Sequence, residues 1–544
     1  MHIVLTVRPG PAAMRGRRTI GRQRLLPSTE LCRSRRSAND GSVVGQAPLA
    51  SFYHLVGKNL TVGCPFHFRE RTSSDHSSMS SLGPIGDILL EVSTQFDLYL
   101  RASLGDVMSA QQYSRRKAVS SLAATVACAF AGPIPATAEP VSPGETQNCA
   151  GPIFSTTGPN AELYGAKDGY PLPDIVEARR QGDPWEPKYR VGAFTHIDHI
   201  YPKRLIRRAV TPWAFKCSRA DVYYNFQGSK FSPLDYMSRN PVTGLLIAKD
   251  DQIIFERYQY ARTDQDRFVS QSMVKSITGL LIGIAISEGA IKSVDDISES
   301  YVPGFMGSEY GRTPIRDLLH MSSGVDFGET RDGGRDLNRL WNGMGIAFPD
   351  SKLGTVRSIV QFNQRIAPAG TRFYYASIEA DVLGMVLQGA VNKSASDYLR
   401  EKVWEPIGAE ADANWLVDAE GFELGHFGFN AVLRDYARLG RLLAHDGAWG
   451  GKQVVPGQWM IDATTVRASD GYLLPCVATK RFGYGSLLWL FPGERRQFAL
   501  LGFKGQYICV DPTSKVVMVH TAIEDPAHRD EPWALWSALV DQLG

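Results

Sequence analysis

The 544-residue sequence predicts an α+β fold, an antiparallel sheet flanked by helices with a mainly helical subdomain inserted into it. Three observations predict this class. The stretch "VTGLLIAKDDQIIFERYQY" from Val242 places two apolar, β-branched runs either side of a polar turn, which reads as a β-hairpin. The middle of the chain carries helical periodicity. The chain then closes on further apolar strands and one last helix. Strands from both ends must pair in one sheet, and the helices between them must bury a face against it.

The elements follow in order. From Arg190, "RVGAFTHIDHIYPKRLI" is a short mixed segment that wraps onto the main domain. After the hairpin, a helix runs from about Ser272 to Glu288 and stops at Gly289. "TPIRDLLHMSSGVDF" is a short helix ended by Ser-Gly. Residues 326–372 are polar and Gly-rich and read as a loop-rich insertion. "IEADVLGMVLQGAV" and "SASDYLREKVWEPIG" are helices by periodicity, and "NAVLRDYARLGRLLAHDG" is a strongly amphipathic helix. "YGSLLWLF", "QFALLGF" and "QYICVDP…KVVMVHTA" are successive strands, and "PWALWSALVDQL" is the terminal helix.

Composition is that of globular material, 43% hydrophobic and 21% charged. A net charge of +3 gives no argument for nucleic acid. No apolar run is long enough for a stable membrane anchor. The basic excess sits early: residues 1–107 hold 13 Lys+Arg against 8 Asp+Glu and lack periodicity. At Met108 begins "MSAQQYSRRKAVSSLAATVACAFAGPIPATAEP". It has a basic n-region at Arg115, Arg116 and Lys117, a mildly apolar stretch, and Ala136-Thr137-Ala138 before Glu139. That is the plan of an export signal, 108–138, with a twin-arginine-like start that departs from the usual motif at Ala118. Residues 1–107 are therefore either a genuine extension or sequence upstream of the true start, and the second reading is favoured. The expected location is the periplasm or outside the cell. Residues 139–189 read as a linker and 190–544 as the functional domain.

Of seven cysteines, four lie beyond the cleavage site: Cys149, Cys217, Cys476 and Cys509. A Cys149–Cys217 bridge and four thiols are both open, and Cys509 reads as a strand core residue. No pair has metal-ligand spacing. His196 and His199 lack a third ligand motif and read as a structural or surface pair. No metal or cofactor is implied, and oligomeric state is left open.

The chemistry-bearing stretch is "FVSQSMVKSITGLLIG" from Phe268. Ser272 and Lys275 are three apart, so on a helix they share a face. A serine hydroxyl needs a base, and a lysine serves as one only where burial or a nearby cation disfavours its charge. Lys275 is followed by "SITGLLIGIAI", apolar nearly all round, so the helix is expected to be buried. Ser272 at the helix start also places an oxyanion near main-chain N–H groups. The plain alternative makes Ser272 an N-cap and Lys275 a snorkelling residue.

Two later stretches bear on that choice: "PAGTRFYYASIEADVLG", with Tyr375 and Ser377, and "FALLGFKGQYICVDP", with a Gly-rich strand end. In this order, with the flanks "LLHMSSGV" and "NAVLRDYARLG", the three blocks resemble the serine hydrolases of the class C β-lactamase and penicillin-binding-protein superfamily. Over about 190–544 the likeness is greatest to the 6-aminohexanoate-dimer hydrolase and carboxylesterase branch. The resemblance implies a β-lactamase/transpeptidase-like fold and an acyl-enzyme on Ser272, with Lys275 as base and Tyr375 as proton donor to the leaving group. Tyr374 is the nearby alternative to Tyr375. It further implies Ser377 orienting Lys275, an oxyanion hole from the backbone N–H of Ser272 and Gln506, the residue after Gly505, and Asn430 lining the pocket or capping a helix. Where the family's third motif has a cation, Phe503 stands; Lys504 is one place off and faces away on a strand. That favours a small-molecule ester or linear amide over the alternatives, a β-lactam or D-Ala-D-Ala peptide. A non-catalytic binding module on the same fold is the reading from another class. No Gly-x-Ser-x-Gly elbow is present.

Overall fold

The computed structural model describes residues 151–166, 185–329, 334–346 and 353–544. The extension 1–107, the export signal 108–138, Cys149 and most of the linker lie outside the described residues. Within the stretch read as linker, Ile153–Phe154 add a short parallel strand beside Arg257–Tyr258, and Tyr164 is buried in the core.

The strands pair as the hairpin pattern requires. β1 (Val242–Lys249) and β2 (Gln252–Tyr258) are antiparallel and joined by Asp250-Asp251. Asp250 takes a left-handed φ of 51°, which a short polar side chain tolerates. β3 (Phe498–Gly502), β4 (Gln506–Asp511) and β5 (Val516–Ala522) form an antiparallel meander, and β5 pairs with β1. The N-terminal and C-terminal portions thus meet in one nine-stranded sheet.

Both faces of this sheet are covered, so its strands read as near-continuous apolar runs. Alternate side chains point opposite ways. Leu246, Ala248, Val517 and Val519 face one core, together with α1 (Met273–Ser287) and, later in the chain, α4 (Leu433–Ala444). Leu245, Ile247, Cys509 and Met518 face another, closed by α5 (Glu531–Leu543). Each Val, Leu, Ile or Met among them contributes about 1.5–3 kcal/mol when fully buried. Cys509 is a core residue, as its strand context suggests. Cys217 keeps its thiol, so the Cys149–Cys217 bridge does not form; Cys476 is disulfide-bonded.

The inserted region is helical. The segment expected to be loop-rich contains α2 (Arg335–Met344) and a short helix, Thr355–Val360. α3 (Ser377–Val391) packs along α1. A four-stranded second sheet, unforeseen from sequence, joins Lys203–Ile206, Ala413–Leu416, Phe429–Val432 and Arg267–Val269. Its last strand leads directly into Ser272. Among the described residues no helix is long and apolar enough to cross a membrane, and no group of three or more His, Cys, Asp or Glu could hold a metal ion. His196 and His199 lie with ring centroids 5.0 Å apart.

α3 also buries a carboxyl. Glu379 accepts a hydrogen bond from Ser323 Oγ at 2.6 Å, and its second oxygen has no partner among the described residues. Burial pushes its pKa up from 4.5 to about 8. The folded protein therefore holds a proton there that the unfolded chain gives up, and stability falls as pH rises between those two values. Glu379→Gln removes that dependence. Its thermal midpoint relative to the wild type should rise between about pH 5 and about pH 9; a difference constant across that range would contradict the assignment.

Candidate active site

α1 is apolar on every side, and all residues from Met273 to Ala285 are buried. A lysine inside it must be satisfied by partners within the protein. Lys275, only 2% exposed, donates from Nζ to Ser272 Oγ at 2.9 Å and to the carbonyl oxygen of His426 at 2.9 Å. Its Nζ also lies 5.0 Å from the centroid of the Tyr375 ring.

Ser272 occupies the N-cap position, yet its side chain makes no capping hydrogen bond. The N-cap alternative is therefore not what the hydroxyl does. The turn before it is strained: Gln271 has a φ of 46°, unusual for a residue with a side chain. Ser272 itself is half-buried, so Oγ stands at the partly exposed end of a covered helix.

Tyr375 lies in the loop entering α3 and is also half-buried. Its ring stacks on Trp489 at 5.6 Å and meets Tyr484 edge-on at 6.5 Å. Phe373 extends this aromatic wall against Tyr484 at 4.8 Å. Ser377 opens α3, but its hydroxyl does not orient Lys275. It donates to Glu329 Oε1 at 2.6 Å, while its main-chain N–H donates to Glu329 Oε2 at 2.7 Å. Glu329 thus closes the first turn of the helix, where a carboxylate is favoured. The oxygen that holds Lys275 in its place is a main-chain carbonyl.

The glycine-rich hairpin differs from expectation in register. Gly502 pairs with Gln506 across the turn Phe503-Lys504-Gly505. A Cβ on Gly502 would lie 2.4 Å from the Ser270 carbonyl oxygen and 3.0 Å from Gln271 Cβ. A Cβ on Gly505 would instead meet Ala522 and His520. Gly502 is therefore the residue that lets the sheet touch the turn before Ser272. Gln506 is 1% exposed and fastens the hairpin, its amide donating to the carbonyls of Phe503, Lys504 and Ala522 at 3.2, 3.1 and 2.7 Å. The main-chain N–H that follows the touching glycine belongs to Phe503. Phe503 is 45% exposed. Lys504 is paired with Glu524, which also binds Arg190.

Asn430 does not cap a helix. It lies in the strand Phe429–Val432, buried, and its Nδ2 donates to Asn414 Oδ1 and to the Gly428 carbonyl, both at 2.9 Å. Val432 precedes α4 instead. Glu329, His426 and Trp489 were not foreseen. A carbonyl acceptor has no sequence signature, and the partners of Ser377 and Tyr375 are set by tertiary packing.

A nine-stranded sheet, a helix carrying Ser272 and Lys275, and an inserted helical subdomain make this a β-lactamase/transpeptidase-type serine-hydrolase fold. Residues 230–539 match the Beta-lactamase family, and the chain belongs to that family. A 6-aminohexanoate-dimer hydrolase from Paenarthrobacter ureafaciens is 26% identical over 291 residues, 52% of this chain and 73% of that protein. Protein flp of Staphylococcus aureus is 22% identical over 178 residues, 31% of this chain and 33% of flp. A solved structure, a candidate 6-aminohexanoate-dimer hydrolase from Bacillus anthracis, superposes with a TM-score of 0.60 at 21% identity. It covers 66% of this chain and 95% of its own.

The hairpin register is testable. Gly502→Ala drives a Cβ into the Ser270 carbonyl, so it should cost about 1–3 kcal/mol and slow fluorophosphonate labelling of Ser272 by about tenfold or more. Gly505→Ala is strained by its φ of 84° but is expected to label within about threefold of wild type, because it does not touch that turn. Equal labelling defects in the two variants would return the contact to Gly505.

Proposed function

We propose that the chain is a serine hydrolase that cleaves carboxylic esters or linear amides through an acyl-enzyme on Ser272. The observation that carries this reading is the buried Lys275 nitrogen, 2.9 Å from a serine oxygen that makes no capping bond. In the proposed cycle Oγ attacks the substrate carbonyl as its proton passes to Nζ of Lys275. The main-chain N–H groups of Ser272 and Phe503 receive the oxyanion, with Phe503 taking the role first given to Gln506. The Tyr375 hydroxyl hands a proton to the leaving alcohol or amine as the C–O or C–N bond breaks. Water then attacks the acyl carbon, its proton returns through the same groups, and Ser272 is freed.

The substrate class rests on two features. The aromatic wall of Tyr375, Trp489, Tyr484 and Phe373 offers apolar area beside the nucleophile. With Gly502 as the motif's glycine, its first position is Leu500, which carries no charge, and Lys504 is already paired with Glu524. The 6-aminohexanoate-dimer hydrolase among the relatives adds a linear amide to the substrates worth testing. A β-lactamase or peptidase reading finds on this hairpin only Lys504, whose charge is already paired with Glu524. Export by the twin-arginine-like signal belongs to the same proposal.

The test is hydrolysis of p-nitrophenyl butyrate, 6-aminohexanoate dimer and nitrocefin by the wild-type chain and by Ser272→Ala. Ester or amide turnover should exceed nitrocefin turnover and fall by about 10³-fold or more in Ser272→Ala. Tyr375→Phe should lower kcat by about 10²-fold through loss of the proton donor. Turnover that survives in Ser272→Ala would remove the nucleophile assignment, and preferred nitrocefin turnover would move the substrate class to β-lactams.

A further inference from the structure

For Lys275 to take the Ser272 proton in the proposed cycle, its Nζ must be held in a fixed direction, and the partner that holds it besides Ser272 Oγ is the carbonyl oxygen of His426. A main-chain oxygen cannot be tuned by its own side chain, so its position depends on what holds the peptide. Here the peptide is held from several sides. His426 Nε2 accepts a hydrogen bond from Trp341 Nε1 at 2.8 Å. An indole nitrogen only donates, so Nε2 must offer a lone pair and the ring proton lies on Nδ1. Nδ1 therefore donates to Asp381 Oδ1 at 2.8 Å. The same Oδ1 accepts the main-chain N–H of Gly425 at 2.9 Å.

The loop is also pressed against α3. A Cβ at Gly425 would lie 2.2 Å from the Ala380 carbonyl oxygen, so only glycine allows this approach. On the other side Trp341 stacks on Phe427 at 5.2 Å and 22°. His426 and Asp381 are both buried. With both ring nitrogens engaged, the imidazole is not available as an acid or base for a substrate. Its place is behind the lysine.

We infer that His426 is a positioning residue for Lys275, and that Asp381 on α3 and Trp341 on the inserted helix α2 lock its carbonyl in place. The inference rests on the proposed role of Lys275 as the base for Ser272. A histidine buried only for packing would have the same contacts but no hold on the reactivity of Ser272. The locked carbonyl also joins α1, α3 and the insertion at one point, so the inserted subdomain and the lysine share an anchor.

The experiment uses the full-length chain. It measures kcat and KM for p-nitrophenyl butyrate and the rate of fluorophosphonate labelling, with Ser272→Ala as the blank. Asp381→Ala removes the shared acceptor and should lower kcat and labelling together by about 10- to 100-fold, with KM within about twofold. Asp381→Asn keeps Oδ1 as an acceptor and should restore both to within about threefold of wild type. Trp341→Phe keeps the ring stack but removes the N–H, and should give a smaller defect of the same kind, about three- to tenfold. If Asp381→Ala does not fold, Trp341→Phe and Asp381→Asn decide. Unchanged kcat and labelling in folded Asp381→Ala or Trp341→Phe, or a defect in KM alone, would overturn the positioning role. A wild-type chain with no Ser272-dependent labelling would instead overturn the proposed function, and this inference with it.

Discussion

A lysine nitrogen sealed inside an apolar helix face must find its hydrogen bonds within the protein, and at Lys275 it finds two. Much of the surrounding architecture serves that constraint. α1 is covered on all sides because its sequence offers no polar stripe to solvent, and that cover keeps water from the amine. One acceptor is the Ser272 hydroxyl, and the other comes from a loop more than 150 positions away in sequence. Leaving either acceptor out would cost the desolvation of a buried polar group, typically about 1–3 kcal/mol and more for a charged one. The loop, the helix and the serine are thus coupled energetically before any substrate arrives.

The second constraint is steric. Two close approaches near this lysine are possible because a glycine stands there. Gly502 lets the sheet reach the turn before Ser272, and Gly425 lets the His426 loop lie on α3. The strained φ at Gln271 belongs to the same picture. The Ser272 hydroxyl makes no capping bond, and the sheet backs the turn before it at Gly502. Strain of this kind persists only when the surrounding contacts over-determine it.

The sheet, α1, α3 and α5 were legible in sequence because period and composition agree there. The hairpin of β1 with β2 follows from turn chemistry and apolar runs, but the bulge that shifts its register between Ile247 and Ala248 has no such signal. The insertion was less legible for an instructive reason. Leu337, Leu340, Trp341 and Met344 have the spacing of a buried helical stripe, but "RDLNRLWNGM" surrounds them with Arg, Asp and Asn, and the polar average hid the pattern. The amphipathic period of α4 misled in the opposite direction, drawing Asn430 towards a helix when it sits in a four-residue strand defined only by its neighbours. At the candidate site, Ser272, Lys275 and Tyr375 were readable as residue types at suitable spacing. Gly502 and Gly505 were not distinguishable without the sheet, and the acceptor for Lys275 could not be read at all. Side-chain motifs are visible in a sequence; main-chain acceptors and close approaches are visible only in a fold.

The electrostatics of the hairpin bear on which substrates the proposed hydrolase would take. Glu524 is partly buried, which by itself would raise its pKa, but the hydrogen bond and charge of Lys504, with Arg190 beyond, outweigh that and hold it below the usual carboxylate value. Glu524 is therefore ionised, and it already satisfies the one lysine on this turn. If the proposed function holds, a substrate carboxylate near this hairpin would compete with a resident carboxylate for that lysine, partly shielded from water, where like charges repel strongly. A neutral acyl chain would meet no such opposition beside the stacked rings of Tyr375 and Trp489. In the proposed hydrolase, the ion pair on the hairpin and the stacked rings of Tyr375 and Trp489 therefore both argue for an uncharged substrate group over an anionic one.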